Sequence, residues 1–132
     1  MPALLHVVLP IVLAAAVPFL STLIAKAGRF SAADNLETRN WQSHLSGWRL
    51  RAHWAHLNAL ETFPMFAVAV VVAHLAAPGS TTATIAAYAY PGLRVLYLSA
   101  FLADKGALRS TLWFTSMGAV AVLFAVALGF GL

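Results

Sequence analysis

The sequence predicts an all-α integral membrane protein, a bundle of four helices in a single domain. Three observations carry this. Of 132 residues, 61% are hydrophobic and only 9% are charged, against about 25% charged in soluble domains. So few charges cannot cover a water-facing surface. Four apolar segments are long enough to cross a hydrocarbon core, which takes roughly 20 helical residues. None of them alternates polar and apolar residues as a half-buried strand does.

The segments follow in order. The first, Ala3–Ala27, lacks a basic leading region and is read as a retained transmembrane helix rather than a signal peptide. Pro10 and Pro18 interrupt it, as a bundle tolerates. The second is about Gly47–Ala77. The third, about Thr82–Asp104, follows the turn "APGSTT", where Ser80 or Thr81 is placed to cap it. The fourth is about Leu108–Leu128. Between the first two lies "GRFSAADNLETRNWQSHLSG", whose start reads as a loop. Its end reads as a water-exposed extension of the second helix, since from Asn40 to Arg51 only Gly47 carries a helix penalty. Small residues are dense in "LAAA" and "AVALGFG", as close packing of membrane helices requires.

Lys26, Arg29, Arg39, Arg49 and Arg51 surround the first loop, and Lys105 and Arg109 the third. The positive-inside rule puts both loops in the cytoplasm and both termini on the opposite side. The net charge of +4 is explained by this flanking, so no nucleic-acid partner is implied. The chain has no cysteine, which excludes a disulfide framework and thiol chemistry of its own.

Polar residues within the apolar segments carry the functional signal. At 100° per residue, Arg51, Trp54, Asn58, Glu61 and Met65 share one face of the second helix. Tyr90, Arg94, Tyr97 and Phe101 share one face of the third. Glu61 and Arg94 each lie deep in an apolar run, where a lone charge costs about 2.5–3.5 kcal/mol. Opposite charges on adjacent helices are expected to pair inside the bundle. Such a pair serves structure or a binding site equally well on this evidence. His53 and His56 are three residues apart, yet no third ligand follows at helical spacing and no HExxH is present. No metal site is expected.

The stretch "WAHLNALETFP", Trp54 to Pro64, resembles the second-helix signature of the MAPEG family, the membrane-associated proteins in eicosanoid and glutathione metabolism. "RVLYLSAFLADKGALRS", Arg94 to Ser110, is similar to that family's third helix and the start of its fourth. The resemblance covers nearly the whole chain and suits a bacterial-type member, in the inner membrane. It implies a homotrimer of four-helix protomers with glutathione as cosubstrate, bound between protomers. Carried over by position, the glutathione-binding residues are Arg51, Asn58, Glu61, Arg94 and Tyr97, and the catalytic ones are Arg109 and Ser110. Lys26 or Arg29 stands where some members place a further basic residue. The implied activity is a transferase or peroxidase acting on a lipophilic electrophile that arrives through the bilayer.

Two positions depart from the family pattern. Trp54 replaces an arginine, removing a planar guanidinium suited to carboxylates. Phe101 stands where eicosanoid-type members carry a tyrosine, and its ring donates no hydrogen bond to a thiolate. These departures suit an alternative, a non-catalytic trimer that binds a lipid, a small anion or a partner membrane protein.

Overall fold

In the computed structural model, which describes residues 2–130, six helices run in chain order. They are α1 (Pro2–Lys26), α2 (Ala32–Leu36), α3 (Thr38–Ser43), α4 (Gly47–Ala76), α5 (Thr81–Leu102) and α6 (Gly106–Ala127). α1, α4, α5 and α6 are long and apolar enough to cross a membrane. They form an antiparallel bundle in which α5 packs chiefly on α6, and α1 chiefly on α4. α1, α4 and α5 continue through Pro10, Pro18, Pro64 and Pro91.

The connections follow local chemistry. Ser80 is the N-cap of α5, its hydroxyl accepting from the Ala83 N–H at 3.1 Å. The α4–α5 turn passes through Gly79 at φ +81°, a left-handed conformation that glycine adopts without penalty. α5 stops at Leu102, and Asp104 takes φ +58° in the tight turn into α6. The expected polar extension of the second helix is not continuous. α3 ends at Ser43, and the chain restarts as α4 through Gly47 at φ +58°. That glycine admits a left-handed bend which an ordinary residue would resist. In the same loop, Ser31 and Asp34 form a reciprocal capping box at the start of α2.

The interior is divided into two apolar clusters. One, centred on Phe66, Val70, Tyr90 and Leu123, fills the end of the bundle near the α4–α5 turn. The other joins Ala55, Tyr97, Leu98 and Phe101 near the α5–α6 turn. Phe66 and Tyr90 stack at 3.9 Å between centroids, with planes 8° apart. The outward faces carry exposed large apolar side chains, among them Leu5, Val12, Phe19, Ile85 and Phe114. Hydrocarbon, not water, is the solvent these faces suit.

Two outcomes follow from this architecture. Phe66→Ala should cost about 3–5 kcal/mol, since it empties a buried aromatic stack, and denaturant titration of the reconstituted protein reads it. The Ser31 hydroxyl and backbone N–H hold the Asp34 carboxyl below its ordinary range. The capping box is therefore complete above the usual carboxylate range and is lost as pH falls through the lowered value. A carboxyl NMR titration of Asp34 should give a low midpoint that Ser31→Ala raises.

Candidate functional site

A layer of polar side chains separates the two apolar clusters, and Asn58 on α4 is its junction. The Arg94 guanidinium donates through Nη2 to Asn58 Oδ1 at 2.6 Å. The Thr62 hydroxyl donates to the Asn58 backbone carbonyl at 3.0 Å. The Tyr90 hydroxyl in turn donates to Thr62 Oγ1 at 2.9 Å. Helix periodicity explains the meeting. Asn58 and Thr62 are one turn apart on α4, as are Tyr90 and Arg94 on α5.

Arg94 is 2% exposed. Its guanidinium carbon lies 4.4 Å from the centroid of the Tyr97 ring, a cation–π contact that supplies part of the lost hydration. Its Nε and Nη1 are buried and make no hydrogen bond. Buried polar groups are otherwise nearly always paired, and buried cations above all. Within the chain, then, Arg94 is only partly satisfied.

The expected Glu61–Arg94 ion pair is not formed. The only ion pair among the described residues is Arg51–Asp104, with Nη1 4.0 Å from Oδ2. Glu61 is exposed, in line with Trp54, Leu57, Met65 and Val68. The reason lies in the helical wheel. The polar stripe of α4 spans about 80°, and the edge of the buried face cuts through it. Asn58 lies about 20° from buried Ala69, while Glu61 lies about 60° further out. Asparagine therefore takes the place assigned to the carboxylate.

The remaining sequence-derived candidates divide into two groups. Tyr97, Arg109 and Ser110 line a common recess of about 120 Å³ with Trp113 and Phe114. Arg109 lies in the first turn of α6, and its guanidinium carbon is 4.5 Å from the centroid of Phe101. Phe101 also meets Tyr97 edge to face at 5.5 Å, so one aromatic surface links the two arginines. Arg51 is engaged elsewhere. Its Nε and Nη2 donate to the Leu102 carbonyl at 3.3 and 3.2 Å, closing an end-of-helix acceptor of α5. Lys26 sits 4.1 Å over the Phe30 ring, and Arg29 is exposed.

Trp113 and Phe114 escaped the sequence-based site. The signal was present, since each follows a candidate by four residues, Arg109 and Ser110 respectively, and so shares its face. The histidines do packing work. His56 Nδ1 donates to the Pro18 carbonyl at 2.8 Å, joining α4 to α1. His53 and His56 rings are 6.2 Å apart. Among the described residues no group of three or more His, Asp or Glu is arranged to hold a metal ion.

The polar layer makes a paired prediction. Asn58→Leu should cost about 1.5–3 kcal/mol, the scale of a hydrogen bond to a charged group. Glu61→Gln should stay within about 0.5 kcal/mol, as for a surface position. Unfolding titrations of both variants check this, and a larger loss at Glu61 would restore the ion-pair reading.

Comparison with known proteins bears on the whole chain. No curated protein matches it. A family model does match, over residues 7–129, a span that takes in most of α1, all of α4, α5 and α6, the polar layer and the recess. The chain therefore belongs to the MAPEG family.

Proposed function

We propose that the chain is a membrane-bound, glutathione-dependent transferase or peroxidase, working as a homotrimer on lipophilic electrophiles. One observation carries the reading. Two guanidinium nitrogens of Arg94 are buried without an acceptor, close to a recess that also holds Arg109 and Ser110. Glutathione supplies what these groups lack, since it brings two carboxylates and, at reaction, a thiolate. Family membership supports the same ligand.

The chemistry assigns roles to residues. The thiolate, not the thiol, is the nucleophile. Arg109 stabilises it, aided by the positive end of α6, and the Ser110 hydroxyl donates a hydrogen bond to the sulfur. Asn58, Arg94 and Tyr97 bind the peptide portion. Glu61, at the edge of the bundle, contributes to the ligand ammonium, and Arg51, whose Nη1 meets Asp104 only at 4.0 Å, offers that nitrogen to a carboxylate. In conjugation, sulfur forms a bond to the electrophilic carbon, and the leaving group departs with the electron pair. In the peroxidase mode, two glutathione molecules are oxidised to one disulfide while the hydroperoxide is reduced to an alcohol and water. The second substrate enters sideways from the bilayer, past exposed Phe114.

A second reading has an observation of its own. Arg109 is already stacked on Phe101, and neither that ring nor exposed Trp54 offers a carboxylate-binding or sulfur-directed charge. This favours a non-catalytic trimer that holds a lipid, a small anion or a partner membrane protein.

Glutathione at about 100 times its dissociation constant should stabilise the detergent-solubilised protein by about 2.7 kcal/mol. Absence of a thermal shift at millimolar glutathione selects the second reading. Arg109→Ala should lower kcat/KM for a generic electrophile by about a hundredfold or more, the scale of losing one donor to a developing anion, with the oligomer intact. Unchanged turnover would remove Arg109 from the mechanism.

A further inference from the structure

The end of the bundle where α1 stops and α4 begins carries cations that the proposed reaction does not use. Lys26 closes α1, Arg29 follows it, and Arg49 lies in the first turn of α4. Arg49 Nη2 donates to the Ala27 carbonyl at 2.6 Å, satisfying an acceptor left open by the end of α1. The same guanidinium lies 4.1 Å over the Trp48 ring. Arg49 thus clamps the two helix ends together and holds the Trp48 indole beside the turn that carries Lys26 and Arg29.

These cations lack counter-charges in the chain. The only ion pair among the described residues is Arg51–Asp104. Of the acids in the loop that follows α1, Asp34 accepts from Ser31 at 2.8 and 2.7 Å, and Glu37 from Asn40 at 3.3 Å. Trp48 is 43% exposed, Arg29 is exposed and Lys26 half-buried, so indole and cations are reachable from outside the bundle. The apolar spans of α1 and α4 end here, at Lys26 and Gly47, the height at which hydrocarbon gives way to headgroups. An indole, with an apolar body and one N–H, suits that level. Unpaired basic residues beside it suit a phosphodiester.

We infer that this rim docks a phospholipid with an anionic headgroup, its phosphate meeting Lys26 and Arg29 and its glycerol-ester region lying against Trp48. Occupation of the rim requires no glutathione.

The test is native mass spectrometry of the full chain, released from neutral detergent containing equimolar phosphatidylglycerol and phosphatidylcholine with matched acyl chains. Phosphatidylglycerol should be retained about thirtyfold better, the equivalent of about 1 kcal/mol for each of the two basic residues. The double variant Lys26→Gln, Arg29→Gln should bring that ratio close to one. Arg39→Gln with Lys105→Gln, which removes the same charge from exposed positions, should leave it unchanged. Trp48→Ala should lower phosphatidylglycerol retention. Equal retention of the two lipids by the unaltered protein overturns the inference without recourse to a variant. So does an equal loss in the Arg39 and Lys105 variant, which would reduce the effect to net charge, or unchanged retention in Trp48→Ala. Displacement of the lipid by millimolar glycerol phosphate would assign the rim to a free phosphate, and displacement by millimolar glutathione would assign it to the thiol site; either result also overturns the inference.

Discussion

A guanidinium in the middle of a hydrocarbon-soluble bundle has to be matched, and much of the interior is arranged around that need. Arg94 is nearly inaccessible, and by insertion scales its burial opposes folding by about 2.5–3.5 kcal/mol. The bundle offsets this with an asparagine acceptor and a tyrosine face. Asn58 also accepts from Thr62, which accepts from Tyr90, so one side chain and its own carbonyl tie α4 to α5 at two heights. The polar layer thereby fixes helix register as a purely apolar seam would not, because a slip along either helix would leave several groups unpaired. It also divides the core into two apolar clusters with different surroundings.

Incomplete satisfaction of Arg94 is the feature with functional weight. A fully matched pair would be a structural device. A cation with two open donors is instead suited to an anionic ligand. The aromatic continuity from Arg94 through Tyr97 and Phe101 to Arg109 connects a peptide-binding arginine to a sulfur-stabilising one in the proposed reaction. Where the family resemblance expects a tyrosine hydroxyl, Phe101 instead lies against the Arg109 guanidinium. In the proposed reaction, stabilisation of the thiolate then rests on charge rather than on a hydroxyl from α5.

Much of this was legible in the sequence. Apolar length located the four spans, and periodicity of Tyr90, Arg94, Tyr97 and Phe101 gave a stripe that is buried in full. The α4 stripe misled because a helical wheel reports shared direction but not where burial stops. Asn58 and Glu61 differ by less than a quarter turn, enough to put one inside and the other outside. Charge complementarity favoured Glu61, whereas geometry chose Asn58. Helix propensity alone gives Gly47 a mild penalty and no break before α4, whereas its positive φ decides the local path. Trp113 and Phe114 were reachable by spacing from Arg109 and Ser110.

The most direct measurement is a high-resolution map of the full chain in nanodiscs with glutathione added. An acidic group of the ligand is expected within hydrogen-bonding distance of Arg94 Nε or Nη1, with Asn58 still holding Nη2. Density for glutathione elsewhere, with both Arg94 nitrogens left as they are, would contradict the assignment of that guanidinium as the anion receptor.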